Sequence, residues 1–272
     1  SLTMAESRRS LHLGVDAPDP SHFGGVVRAL RGAENDARRW ETFFRGRGWT
    51  TTCWVGKSAT TANLASWVRE TARSDAESVV ITWSGHGAQL AHEAGLSLPK
   101  RENDDYDELW VMHDRFLFDD EVFALLAHFA PPTQVVVVAD CCHSGSSFQI
   151  APTEEDDWAE ASRQVPRALG DRLAEQIVDR HRSLYRRVVQ ELDPAAVCEA
   201  DFVGLAACRD NERAYESAGQ GAFTRALLGL LEQGYSGSYA ELVEAAKAGT
   251  PYQHPRPFWN ETTALLHSPA FA

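Results

Sequence analysis

An α/β fold built on a mostly parallel sheet is what this sequence predicts, and three observations carry the prediction. Apolar runs of strand length alternate with amphipathic stretches of helix length through the first half of the chain. The run Val135-Val136-Val137-Val138 is β-branched on both faces, the pattern of a central strand covered by helices on both sides. Two strands end in glycine-flanked polar clusters, Ser84-Gly85-His86-Gly87 and Asp140-Cys141-Cys142-His143-Ser144-Gly145. In open α/β sheets the carboxyl ends of parallel strands are where ligands bind.

In chain order, short apolar runs predict strands near Ser10 to Asp16, Thr50 to Val55, Ser78 to Trp83 and Thr133 to Ala139. Helical spacing predicts helices between them, near Asn35 to Gly46, Thr60 to Ser74 and Asp119 to Phe129. Character changes over Ala151 to Ala200. There an acidic run, Glu154 to Asp157, leads into an Arg-rich, helix-prone stretch that reads as an insertion. A strand is expected again at Asp201 to Ala207, then helices near Ala222 to Glu232 and Tyr239 to Lys247. A Pro-rich stretch and a short terminal strand close the chain.

At roughly 150 residues per domain, 272 residues suit one large α/β domain over 1–272. The chain is 43% hydrophobic, with 8 Trp and 12 Phe, enough for a packed core. No apolar run approaches the roughly 18 residues that span a bilayer, so a soluble protein without a membrane partner is expected. A formal charge of -13 repels phosphate backbones and argues against nucleic acid. Five cysteines, an odd number with one vicinal pair, do not resemble a disulfide framework and suit a reducing, cytoplasmic setting. No basic region followed by an apolar stretch marks a secretory signal near the start.

Cysteine hydrolysis needs a thiol and an imidazole that meet in space. The imidazole takes the thiol proton and later returns a proton to the leaving amine. His86 and one of Cys141 and Cys142 satisfy that need, and spacing alone does not choose between the two cysteines. The competing readings are a buried cysteine with a merely hydrogen-bonded histidine, and a zinc site from His86, Cys141, Cys142 and His143. Adjacent cysteines ligate one ion awkwardly, and there is no C-x-x-C. Nucleophile-elbow, Walker A and dinucleotide-binding motifs are missing.

These clusters resemble the caspase-like cysteine peptidases, and within them the bacterial metacaspase-like branch, the orthocaspases. Caspases place the His about 50 residues before the Cys, and the spacing here agrees. The likeness extends to Leu30-Arg31-Gly32-Ala33-Glu34-Asn35-Asp36, similar to the family's first-helix motif. Asp105-Tyr106-Asp107-Glu108 and Asp119-Asp120-Glu121 are similar to its acidic loops, and Cys208-Arg209-Asp210-Asn211 with Gly221-Ala222-Phe223-Thr224 to its small-subunit region.

The resemblance implies a caspase-like fold in which 1–150 is large-subunit-like, 201–272 small-subunit-like and 151–200 the linker. It implies Cys142 as nucleophile, His86 as acid/base, and an oxyanion hole from Gly87 and Cys142. Asp36, Ser84 and Asp140 would line the primary specificity pocket. Carboxylates in such a pocket select a cation, so protein or peptide substrates with Arg or Lys before the scissile bond are expected. The resemblance requires no cofactor, but calcium binding by Asp107, Asp119 and Asp120 is implied; Gln149 stands where relatives carry a fourth aspartate. Self-processing within Ala151 to Ala200, or cutting there by an upstream activating protease, is a further expectation. Helical Arg186 and Arg187 would be protected, and Arg163 and Arg167, flanking Pro166, more accessible. The alternatives are a catalytically silent interaction module and a small-molecule amidase or transpeptidase on the same dyad.

Overall fold

The computed structural model describes residues 7–91, 96, 106–142, 165–209, 212–258 and 263–272. Within them the chain runs β1 (Arg8–Gly14), α1 (Pro20–Phe23), α2 (Ala33–Arg45), β2 (Thr50–Val55), α3 (Thr61–Ala72) and β3 (Ser78–Ser84). Next come β4 (Gly87–Ala91), β5 (Tyr106–Val111), β6 (Phe116–Phe118), α4 (Asp119–Leu126) and β7 (Gln134–Asp140). The second half holds β8 (Val165–Pro166), α5 (Asp171–Arg180), α6 (Arg182–Glu191), β9 (Asp201–Ala206), β10 (Tyr215–Ser217) and β11 (Gln220–Gly221). It ends with α7 (Ala222–Glu232), α8 (Tyr239–Ala246) and β12 (Arg256–Phe258).

Six strands form the main sheet in the order β12-β9-β7-β3-β1-β2, parallel throughout except for β12 at one edge. Both faces are covered, as the unbroken apolar character of β7 requires. Leu11, Leu13, Val79, Ile81, Trp83, Val135 and Val137 point to one face, where Leu64, Trp67 and Val68 of α3 and Leu126 of α4 cover them. Val80, Val136, Val138, Val203 and Leu205 point to the other, against Trp40, Phe43 and Phe44 of α2 and Leu227, Leu228 and Leu242 of α7 and α8. Among the described residues no helix is long and apolar enough to cross a membrane.

Helix starts follow local chemistry. Asp16 Oδ1 accepts from the amides of Ala33 and Glu34 at the head of α2, and Thr60 caps α3 through the Asn63 amide. Asp119, Asp120 and Glu121 fill the first turn of α4, where the helix dipole favours anions. Glu121 also accepts the Phe118 amide and holds Arg115 through two short contacts.

Sequence spacing had not suggested two small antiparallel sheets. One is β4-β5-β6 and the other β11-β10-β8. Asp107 and Glu108, expected in an acidic loop, lie on β5, whose apolar partners Leu109 and Val111 pack under α5 and α6. These short strands divide their burial between faces, with Trp110 and Leu117 in the core on the α3/α4 side, so no clean period marks them in sequence. All five cysteines are free, in line with the absence of a disulfide framework.

His12 on β1 is fully buried between Ser10 Oγ and Thr82 Oγ1, each 2.9 Å away, and stacks on Phe44. Burial pushes its imidazole down to about 3 from the usual 6.5. The unfolded chain therefore binds one more proton here below 6.5, so this contribution to stability is whole above that pH and is lost as the pH falls toward 3. Its slope is about 1.4 kcal/mol per pH unit between those limits. Urea unfolding at pH 7, 6 and 5 is expected to show stability falling with acid, and His12→Gln is expected to flatten that fall by about one proton. Equal slopes for the two proteins would mean that His12 protonates within the fold.

Candidate active site

Parallel register sets the site. Ser84 pairs with Asp140 at the carboxyl ends of β3 and β7, so the residues just beyond them, His86-Gly87 and Cys141-Cys142, leave the sheet side by side. The vicinal cysteines then part. Cys141 joins the core on the α3/α4 face, where burial pushes its thiol well above the usual range. Cys142 belongs to the opposite face, with its Sγ 2.7 Å from the Ala214 amide nitrogen and 3.3 Å from the Ala214 carbonyl oxygen.

His86 is buried and its Nε2 lies 2.6 Å from the Arg28 carbonyl. A carbonyl only accepts, so Nε2 carries the hydrogen and Nδ1 keeps its lone pair. That Nδ1 is buried with no hydrogen-bond partner among the described residues. Burial, opposed by the bond to Arg28 and aided by the nearby Arg167, holds the imidazole down to about 4, so it is neutral at pH 7.

Between these groups runs a stretch of the chain itself. Val165 and Pro166 pair antiparallel with Glu216 and Tyr215, and the Arg167 amide donates to the Ala214 carbonyl at 2.9 Å. The Arg167 carbonyl then accepts from two amides, Gly87 at 3.0 Å and Cys142 at 3.2 Å. Beyond it, the Leu169 amide donates to the Gly87 carbonyl at 2.8 Å. This close passage requires glycine at 87, because a Cβ there would lie 1.5 Å from the Cys142 carbonyl oxygen.

The Arg167 side chain is fully buried in a cage of carboxylates. Its Nη2 lies 2.8 Å from Asp36 Oδ2 and 3.1 Å from Glu216 Oε2, and its Nη1 lies 3.1 Å from the Asp140 carbonyl and 3.5 Å from Asp140 Oδ1. Each acid is also tied to the backbone. Asp36 accepts the Gly221 amide, Asp140 Oδ2 accepts the Thr224 amide and hydroxyl, and Glu216 accepts the amides of Arg31 and Gly32. The cage is thus held in place by bonds that do not involve the guanidinium, as a preorganised cation site requires. Burial pushes the Asp36 carboxyl up to about 7, against the pull of Arg167 and with the repulsion of Asp140.

Several expectations change here. Arg167, expected among the accessible arginines, is fully buried, because extended backbone beside a cation pocket inserts its side chain rather than exposing it. Ser84 is buried near the strand end, but its hydroxyl makes no hydrogen bond among the described residues, and Glu216 is the third group on the guanidinium. Gln149, Arg163 and His143 to Gly145 lie outside the described residues. Glu216, Ala214 and Arg28 carried no sequence signal, since each acts through a partner far away in the chain, and Gly221 stood out only as part of the stretch similar to the small-subunit region. A cavity of about 670 Å³ lined by residues of α3, α4 and α6 shares no residue with this site.

Asp107, Asp119 and Asp120 do come together, offering carboxylate oxygens within 4.8 Å of one another. Asp107 and Asp120 are buried. Like charges so close need a compensating cation or proton, and an all-oxygen donor set fits a hard cation such as calcium.

A family profile described as a caspase domain, of peptidase family C14, matches residues 19–253. The fold is similar to the crystal structure of protein GSU0716 from Geobacter sulfurreducens. The TM-score is 0.81 and the identity 29%, over 97% of this chain and 98% of that one. Among curated proteins there is no match. A parallel sheet whose adjacent strand ends deliver a histidine and a cysteine, together with a profile match over most of the length, makes this chain a member of the caspase-domain peptidase family, C14.

Proposed function

We propose that this protein is a cysteine endopeptidase of the metacaspase-like kind that cuts after arginine or lysine and processes itself within 151–200. One observation carries the reading. An arginine lies with its side chain among Asp36, Asp140 and Glu216 while its carbonyl receives the amides of Gly87 and Cys142. A substrate residue before the scissile bond would need those two placements together.

In the proposed reaction His86 Nδ1 takes the Cys142 proton, and the thiolate sulfur attacks the carbonyl carbon. The two amides stabilise the oxyanion. As the C–N bond breaks, His86 returns the proton to the leaving nitrogen. A water then splits the thioester, placing its hydroxyl on the acyl carbon and its proton, through His86, on the thiol. Asp36, Asp140 and Glu216 select the cation, and Ser84 stands at the neck of the strand end from which His86 departs. Asp107, Asp119 and Asp120 are proposed to hold calcium, which when bound would offset their charge and brace β5 against α4. Five free cysteines suit a reducing compartment, and a cytoplasmic location is proposed on that ground.

The test is hydrolysis of peptides differing only in Arg, Lys or Asp before the bond, with and without calcium, by wild type and Cys142→Ala. Cleavage of the Arg and Lys peptides by wild type alone is expected. Cleavage of the Asp peptide, or activity of Cys142→Ala, would reject the assignment. Gly221→Ala gives a second check on the pocket, because its Cβ would lie 2.2 Å from Asp140 Oδ2 and 2.6 Å from Asp36 Oδ2. Both acids are anchored, so kcat/KM for the Arg peptide is expected to fall about 10²-fold. A wild-type value would place the substrate guanidinium elsewhere.

A further inference from the structure

We infer that the α5–α6 pair sets the catalytic histidine, acting through α1 and the loop that follows it, and that Val27 and Tyr185 are the positioning residues. The inference rests on the proposed peptidase role of His86. It goes beyond that role by giving work to two helices that contribute no group to the dyad or to the carboxylate cage.

Among the described residues a single hydrogen bond orients the His86 ring. Its Nε2 donates to the Arg28 carbonyl at 2.6 Å, which leaves Nδ1 as the base. The imidazole is therefore only as well placed as residue 28. Beyond Arg28 the chain is anchored by its own backbone, since the Leu30 amide donates to the Asp16 carbonyl at 2.8 Å and the amides of Arg31 and Gly32 donate to Glu216. Before Arg28 the situation differs. No backbone–backbone hydrogen bond reaches Gly25 to Ala29 among the described residues, so packing must hold this stretch.

That packing comes from α5 and α6. Val26 is 50% exposed, whereas Val27 is half-buried against the cluster that contains Phe23, Leu90, Ala174, Ile177 and Val178. Ala174, Ile177 and Val178 form the buried stripe of α5, at helical spacing. The residue next to Arg28 is thus seated on that helix. α1 is pinned to the same pair. His181, at the joint of α5 and α6, donates from Nε2 to the His22 carbonyl at 2.8 Å, and the two imidazoles stack 4.0 Å apart. His22 Nε2 lies 2.7 Å from the Tyr185 hydroxyl, which also accepts the Phe116 amide at 3.0 Å. One residue on, Arg180 Nη2 reaches the Phe23 carbonyl at 3.4 Å, and a Cβ on Gly24 would lie 2.5 Å from Arg180 Nη1. Residues 22, 23, 24 and 27 all rest on α5–α6, and the next carbonyl along is the one that holds His86.

This arrangement acts on rate rather than binding. The Leu30 to Gly32 end of the loop is anchored independently and supports the cage through Glu216, so loosening Val27 tilts the imidazole and leaves the cation pocket intact. A shift of about 1 Å in a reacting group can cost about 10²-fold in rate.

The experiment uses the full-length chain, with active sites counted by a thiol-reactive Arg peptide. It reads hydrolysis of an Arg peptide amide together with the ring-proton signal of His86 at pH 7, the latter in Cys142→Ala protein carrying 15N-labelled histidine, with His86→Gln identifying the signal. Val27→Ala is expected to lower kcat about tenfold with KM unchanged, to move the Nε2 proton upfield and to speed its exchange with water. Tyr185→Phe, which keeps the ring but not the hydroxyl, is expected to move both readouts in the same direction. Val27→Ile keeps the apolar contact and Val26→Ala alters only an exposed neighbour, so both are expected to match wild type. Melting curves show which variants are folded. A Val27→Ala protein that melts lower but keeps wild-type kcat and an unmoved ring proton would reduce Val27 to a packing residue and overturn the inference, leaving the peptidase reading standing. Val26→Ala as impaired as Val27→Ala would overturn it as well. A ring proton that moves in Val27→Ala, in a protein whose wild type hydrolyses no peptide, would uphold the placement of His86 and reject the peptidase reading.

Discussion

Cys142→Ala is expected to lose peptidase activity by roughly 10⁴-fold or more in kcat, and His86→Ala to lose about as much, because nucleophile and base act as one unit. Neither change should unfold the protein. Cys142 loses one sulfur that touches Ala214, and His86 one bond to the Arg28 carbonyl. Cys141→Ala is the informative control. Its side chain packs with Trp83 and Ala139 on the other face of the sheet, so the variant should retain most activity and lose only the stability of a small buried group, about 1 kcal/mol. Hydrolysis of the Arg peptide, with thermal melting of each variant, checks all three. A dead Cys141 variant beside a live Cys142 variant would reverse the assignment.

Asp140→Asn is expected to lower kcat/KM for Arg peptides by about 10²-fold, the effect of removing one charged partner of a desolvated guanidinium. Asparagine is the better substitution because Asp140 has two duties. One oxygen faces Arg167, while the other accepts the amide and hydroxyl of Thr224 in the first turn of α7. The asparagine side chain would keep an acceptor for Thr224. Asp140→Ala would also strip those two buried donors of their partner, at a cost of about 1–3 kcal/mol, and should melt lower than Asp140→Asn. Steady-state kinetics and melting curves together separate recognition from stability. An Asp140→Asn enzyme with wild-type kcat/KM for Arg peptides would remove Asp140 from the pocket.

Local pattern made much of the scaffold readable before any coordinates. The strand-helix alternation foretold the strands that became β1, β2, β3 and β7, although β1 begins at Arg8 rather than Ser10 and α2 at Ala33 rather than Asn35. The β-branched run marked the strand now seen in mid-sheet, and glycine-flanked His86 and Cys142 fell at neighbouring strand ends. The small sheet β4-β5-β6 was missed. Its residues are short runs whose burial is divided between α5 and α6, far away in the chain, and the core beneath α3 and α4.

Within the site, the division is sharper. Sequence by itself determined that a histidine and a cysteine lie at the carboxyl edge of a parallel sheet, because strand period and glycine placement are properties of neighbouring residues. It could not choose between Cys141 and Cys142, since that choice depends on which face of the sheet each side chain meets. Nor could it find Glu216 or the seat of Arg167, because the ion pairs that define them join residues 49 and 131 positions apart. Only tertiary structure brings such partners within 3.1 Å, and at that separation, in a site shielded from water, charge decides which side chain is held.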